Sequence, residues 1–118
     1  MRGRVYDTVS REVGYIDERG DIYYHNYVPD VVDEYQKIGH VNDKGEVFGF
    51  RDNEYRPVGS IDSRGNISVG GLKMGYIKRS GEAYYRGRYV GRVERGGTLI
   101  FGQVPLIHAG AAALVLLF

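Results

Sequence analysis

Seven cationic side chains, Lys73, Lys78, Arg79, Arg86, Arg88, Arg92 and Arg95, fall within 23 residues of this 118-residue chain, interleaved with Tyr76, Tyr84, Tyr85 and Tyr89. Guanidinium and ammonium groups neutralise phosphate, and tyrosine faces stack on bases or pack against head groups, so the set describes an anion-binding surface for anionic lipid or another polyanion. The same composition also suits a solvated outer sheet face, with Arg stems lying on Tyr rings. Charge is distributed in keeping with either reading. Residues 1–59 hold 8 basic and 12 acidic side chains, residues 60–118 hold 8 and 3, and the net charge is only +1.

Other chemistry finds little support. The chain has no cysteine, which removes thiol nucleophiles, thiolate metal sites and disulfides. His25, His40 and His108 have no zinc-like spacing. His108 lies in an apolar stretch near a helix start, where a buried His is ordinarily bonded to a carbonyl or to water. Asp17, Asp43 and Asp62 could be read as paired catalytic carboxylates, but they recur at turn positions, where Asp caps the backbone. Ser10, Ser60, Ser63, Ser68 and Ser80 sit in no nucleophile-elbow context, and neither a phosphate-binding P-loop nor a dinucleotide glycine motif is present. The expectation is a non-enzymatic structural or binding module with no catalytic residue, no metal and no cofactor.

What must position the basic set is a repeat. Five times the chain writes an aliphatic residue, Gly, any residue, an aliphatic residue, three more, and a second Gly. The copies begin at Gly14, Gly39, Gly59, Gly75 and Gly91, with partners at Gly20, Gly45, Gly65, Gly81 and Gly97. Asp17 to Gly20 predicts a type I turn ending in a left-handed glycine, with the Asp side chain as cap. Asn42 to Gly45 and Asp62 to Gly65 repeat it, while Lys78 to Gly81 and Glu94 to Gly97 keep only the glycine. Across each turn an aliphatic pair should share one buried face: Ile16 with Ile22, Val41 with Val47, Ile61 with Ile67, Ile77 with Ala83, and Val93 with Leu99. The residues after the first glycines, Tyr15, His40, Ser60, Tyr76 and Arg92, vary freely and should face outward. The last three copies are spaced by 16 residues, as in an antiparallel meander. The first spacing is 25 and holds an insertion around Tyr27 to Glu34. Gly3-Arg4-Val5-Tyr6 matches the second half of a copy. About eleven strands are expected. An odd count would bring the first and last strands together in parallel, leaving a seam open to a second copy of the chain and hence a homodimer.

Residues 103–118 end in the uncharged run VPLIHAGAAALVLLF. Pro105 fits a first helical turn. A helix of that length spans roughly 20 Å against roughly 30 Å of bilayer hydrocarbon, so it is too short for a transmembrane span. Being apolar all round, it needs partners on every side. A meander of residues 1–102 curled around it as a plug meets that need, and the first glycine of each copy would leave it room. The competing reading is an anchor for a membrane or partner. The opening residues carry no apolar signal-peptide core, which points to the cytoplasm.

Val13-Gly14-Tyr15-Ile16-Asp17-Glu18-Arg19-Gly20-Asp21-Ile22-Tyr23 and Val90-Gly91-Arg92-Val93-Glu94-Arg95-Gly96-Gly97-Thr98-Leu99-Ile100 resemble the repeats of the bacterial β-flower proteins, and the resemblance covers roughly residues 3–102. It implies a shallow, pseudo-symmetric β-barrel of radiating hairpins, broadly similar to the tubby-like domain, a barrel threaded by a C-terminal apolar helix. No biochemical activity defines the family. Tubby-like domains bind phosphoinositide head groups, but no residue motif here carries that site over. WG-type repeats share Gly14-Tyr15-Ile16-Asp17 but need a Trp that this chain lacks, and MORN repeats are longer. The expected fold is therefore a single all-β domain, an antiparallel meander barrel of about five hairpin repeats with a central C-terminal helix.

Overall fold

The turns expected at Asp17, Asn42 and Asp62 are formed in a computed structural model that describes residues 3–27, 34–96 and 102–118. Asp17 Oδ1 accepts the backbone N–H groups of Arg19 at 3.0 Å and Asp21 at 2.9 Å. Gly20 closes the turn at φ +87°, a conformation that costs a residue with a Cβ. Asn42 and Asp62 accept the equivalent pairs of N–H groups through their own Oδ1 atoms. The turn at Lys78 keeps the Gly81 N–H bond to the Lys78 carbonyl, at 2.8 Å, with no side-chain acceptor to reinforce it.

These turns link ten strands: β1 (Gly3–Tyr6), β2 (Glu12–Ile16), β3 (Asp21–Asn26), β4 (Glu34–Val41), β5 (Glu46–Arg51), β6 (Glu54–Ile61), β7 (Asn66–Val69), β8 (Leu72–Ile77), β9 (Glu82–Tyr85) and β10 (Arg88–Val93). Each pairs antiparallel with its neighbours in the chain, and β1 pairs with β10 to close the barrel. Four expected aliphatic pairs stand in register, Ile16 with Ile22, Val41 with Val47, Ile61 with Ile67 and Ile77 with Ala83. All eight residues are buried.

Val93 stands opposite Val5, on the N-terminal strand. Leu99 and Gly97 lie outside the described residues. The resemblance of Gly3-Arg4-Val5-Tyr6 to the second half of a copy now has a physical reason, because β1 supplies β10 with the partner that a local hairpin would otherwise provide. The described residues hold ten strands where about eleven were expected. An even count closes antiparallel, so the expected parallel seam, and the open edge offered to a second copy, are absent at the β1–β10 junction.

Curvature comes from a recurring irregularity. Registers slip at the aliphatic residue just before each first glycine, leaving Val13, Ile38, Val58, Met74 and Val90 unpaired in the ladders. Such bulges bend and twist a strand, which lets short strands close a small barrel. Three outer tips, Asp52-Asn53, Gly70-Gly71 and Arg86-Gly87, have both residues at positive φ, the two-residue turn that matches strand twist.

The tail forms one helix, α1 (Leu106–Leu116). Pro105 sits at its N-cap, one residue before the first turn proper, and its carbonyl accepts the first helical bond from Ala109 at 2.9 Å. Ala109, Ala111, Ala112 and Ala113 are wholly buried. The first glycine of each copy faces a side chain from the end of the helix or just beyond it. A Cβ at Gly59 would lie 2.7 Å from Leu114, at Gly75 2.7 Å from Phe118, at Gly14 3.0 Å from Leu116, at Gly91 3.0 Å from Leu117 and at Gly39 3.3 Å from Val115. Among the described residues no helix is long and apolar enough to cross a membrane.

Candidate anion-binding face

The basic set divides into three structural situations. Lys73 on β8 and Lys78 just beyond it flank a tyrosine stack. Tyr76 and Tyr84, cross-strand partners, have ring centroids 5.0 Å apart at 15°. Lys73 Nζ lies 5.6 Å from the Tyr76 centroid and Lys78 Nζ 5.0 Å from that of Tyr84. Arg86 occupies the β9–β10 tip with its guanidinium 5.9 Å from the Tyr85 ring, which itself packs on Phe118. Arg88 opens β10 opposite Tyr85, and Tyr89 meets Tyr84 edge-on. These cations are exposed, and Lys73, Lys78 and Arg86 each lie against a ring rather than a carboxylate.

Arg92 turns toward the closure of the barrel. Its guanidinium lies 4.3 Å over the Tyr6 ring, and Nη1 donates to Ser10 Oγ at 3.4 Å. Arg95 does something else again. Its Nε donates to the Val104 carbonyl at 2.9 Å and its Nη1 to the Arg79 carbonyl at 2.7 Å. Burial, followed by the neighbouring Arg79 charge, pulls its pKa below the ordinary value. Arg95 thus latches the exit of β10 to the lead-in of the helix, a structural use of a residue that the sequence pattern grouped with the anion binders.

Charge pairing differs sharply between the two halves. Asp21 holds Lys37 Nζ at 3.1 Å and His40 Nδ1 at 2.9 Å. Burial pushes the Asp21 carboxyl up, but the bonds from Lys37 and His40 outweigh it and hold the group below its usual range. Glu12 meets His25 Nδ1 at 2.7 Å and accepts the Tyr35 hydroxyl at 3.0 Å. His25 is buried and lies against Tyr35 and Tyr27, with ring centroids 4.6 and 3.9 Å away. Among the described residues none of the seven cations of the basic set forms an ion pair.

The Glu12–His25–Tyr35 cluster is absent from the motif reading, though its signal was present. The Asp17 turn fixes the β2–β3 register at Gly14 with Tyr24, which brings His25 within one residue of Glu12 across the ladder. His108 lies in the first turn of α1 and is half-buried. Asp17 and Asp62 are turn caps, as expected, and Asp43 lies exposed inside the Asn42 turn. No group of three His, Cys, Asp or Glu residues among the described residues could hold a metal ion.

The fold and site define an all-β barrel with a C-terminal helix and one unneutralised basic, tyrosine-lined face. Compared with known proteins, the chain matches no family model, no curated protein and no solved structure.

Proposed function

We propose that this chain is a non-enzymatic binding module of the β-flower type, a ring of five hairpins with the C-terminal helix as its central plug. Supporting the ring are five aliphatic pairs in equivalent registers, the fifth made by Val93 and Val5. Supporting the plug are five glycines that each face a different side chain of residues 114–118. The working surface is the face built from β8, β9 and β10, and its ligand is a phosphate-bearing polyanion. One observation carries this reading: Lys73, Lys78, Arg86 and Arg88 stand exposed around tyrosine rings with no carboxylate partner among the described residues, whereas acids elsewhere are occupied by Lys37, His40 and His25. Unneutralised cations release condensed counterions when they meet phosphate, and tyrosines beside them add sequence-tolerant contact.

The test is binding of the whole chain to liposomes with and without anionic lipid, and in parallel to heparin and a single-stranded oligonucleotide, over a salt series. Affinity should fall steeply with salt, and replacing both Lys73 and Lys78 with Ala should flatten the log–log slope by about 1 for each phosphate no longer neutralised. The lipid and soluble arms separate a membrane surface from a free polyanion. Salt-insensitive or absent binding in every arm removes the reading and leaves a purely structural module.

A further inference from the structure

The outer face of the barrel carries a second pattern, independent of the anion-binding reading. On five strand pairs, the residue after a first glycine stands opposite the residue after an inward aliphatic. The five pairs are Tyr15 with Tyr23, His40 with Phe48, Ser60 with Ser68, Tyr76 with Tyr84, and Arg92 with Tyr6. Four contain flat side chains. Tyr15 and Tyr23 stack at 4.8 Å, Tyr76 and Tyr84 at 5.0 Å, and Arg92 lies 4.3 Å over Tyr6. At the β6–β7 junction both positions are serine, and there a cleft of about 420 Å³ opens, lined by Glu46, Pro57, Val58, Ser60, Ser68 and Val69.

A carboxylate stands at the edge of this gap. Glu46 on β5 is the register partner of Ser60, so Glu46, Ser60 and Ser68 form one row across three strands. The two other rows that begin with an acid place a cation next to it. Asp21 faces His40, with Lys37 at 3.1 Å, and Glu82 stands opposite Arg92. Glu46 has Asn42 on Oε1 at 3.1 Å and a serine where Asp21 and Glu82 have His40 and Arg92 as register partners. Val58 and Val69 are partly exposed, and Leu72, opposite Val69, is 69% exposed, so apolar walls flank the polar floor.

We propose that the β6–β7 cleft is a binding site for a small flat organic cation, an aromatic ring bearing an amidinium, guanidinium or protonated amine. The ring takes the place of the missing aromatic pair between Val58 and Val69. The cationic nitrogens meet the Glu46 carboxylate, and the hydroxyls of Ser60 and Ser68 accept or donate at the ring edge. The chemistry is the one that the molecule already uses intramolecularly where Asp21 holds Lys37 at 3.1 Å. An anionic ring is repelled by Glu46, and a neutral isostere forgoes only the charge interaction.

The probe is benzamidinium, titrated into the whole ¹⁵N-labelled chain to about 10 mM, since a ligand this small on an open site binds in roughly the millimolar range. Amide shifts should move at Glu46, Ser60, Ser68 and Gly70 and stay still on the β8–β10 face. Neutral benzamide should bind about fivefold more weakly, the scale of an exposed charge interaction. Glu46→Gln should weaken benzamidinium about fivefold and leave benzamide unchanged. Ser60→Tyr should abolish both, while Glu46→Gln keeps the proposal testable should the tyrosine disturb folding. The proposal is overturned by an absence of shifts in these residues, by equal binding of benzamidinium and benzamide, or by affinities that ignore both substitutions. Dimerisation that disappears in Ser60→Tyr would also overturn it, because a second copy would then be the occupant.

Discussion

Gly110 reports directly on where the helix sits. In a solvated helix, Gly→Ala gains about 1 kcal/mol by restricting the unfolded chain and shielding the backbone. Here a Cβ on Gly110 would fall 2.8 Å from Ile61 Cγ2, 3.2 Å from Cδ1 and 3.4 Å from Cγ1. Optimal carbon separations are about 3.5–4.0 Å, so the methyl overpacks the contact, at about 1–3 kcal/mol. The net expectation for Gly110→Ala is a loss of about 0–2 kcal/mol, from the difference of those two effects. For 118 residues, an unfolding entropy of about 2.1 cal/mol/K per residue makes this a fall of up to about 8 °C in Tm. The decisive quantity is the coupling. In an Ile61→Ala background the clashing atoms are gone, so Gly110→Ala should become stabilising by about 1 kcal/mol or more, partly refilling the hole. Urea denaturation followed by circular dichroism gives all four corners of the cycle. Should Ile61→Ala, at a cost of about 2–5 kcal/mol, unfold the chain, Gly110→Ala alone still decides, because a gain of about 1 kcal/mol, as in a solvated helix, contradicts the contact. If Gly110→Ala stabilises equally in both backgrounds, with coupling under about 0.5 kcal/mol, the helix does not rest on Ile61 and the packing argument fails.

Three further outcomes are expected. Lys78→Asn installs the side-chain acceptor that its turn lacks and should raise stability by about 0.5–1.5 kcal/mol, read as a higher Tm, while weakening polyanion binding. Arg95→Met should cost about 1–3 kcal/mol by leaving the Val104 and Arg79 carbonyls without their donor, and Arg95→Lys should not restore it because the two bonds need a fork; a Lys variant melting with the wild type would contradict this. The Asp21 carboxyl titrates below its ordinary value of 3.8 in the fold, so its contribution is whole above that value and disappears as pH falls through the lower, folded one. Melts between about pH 2 and pH 7 should therefore show Asp21→Asn less stable than wild type above pH 4, with the two curves converging on acidification; parallel curves would refute the assignment.

Local chemistry was legible in the sequence wherever a turn carried its own signature. Asp17, Asn42 and Asp62 announce three hairpins, and their glycines fix the registers that bury Ile16, Val41 and Ile61. The requirement for small residues opposite the helix was visible too, in the fixed glycine ahead of each inward aliphatic. What was hidden depends on residues distant in the chain. Val93 follows the same local rule as Ile77 and so points to Leu99, yet it pairs with Val5, whose claim rests only on the likeness of Gly3–Tyr6 to a half-copy. For the basic set, the sequence supplied composition and the fold supplied sorting. Arg95 is diverted to carbonyls and Arg92 to Tyr6, while Lys73 and Lys78 remain at a stack. The Ser60–Ser68 gap was readable only by aligning the copies and asking which one lacked rings.

The partnership of Val5 with Val93 sets an order of assembly. During synthesis the amino-terminal strand waits, one edge unmatched, until nearly the whole ring has emerged, and the apolar rod arrives after all ten strands. Nine of the ten described strand pairings join neighbours in the chain, so the β1–β10 closure is the one pairing that adds a long loop to a locally connected fold. The buried alanines of α1, Ala109 and Ala111 to Ala113, follow every described strand in the chain and so join the core last.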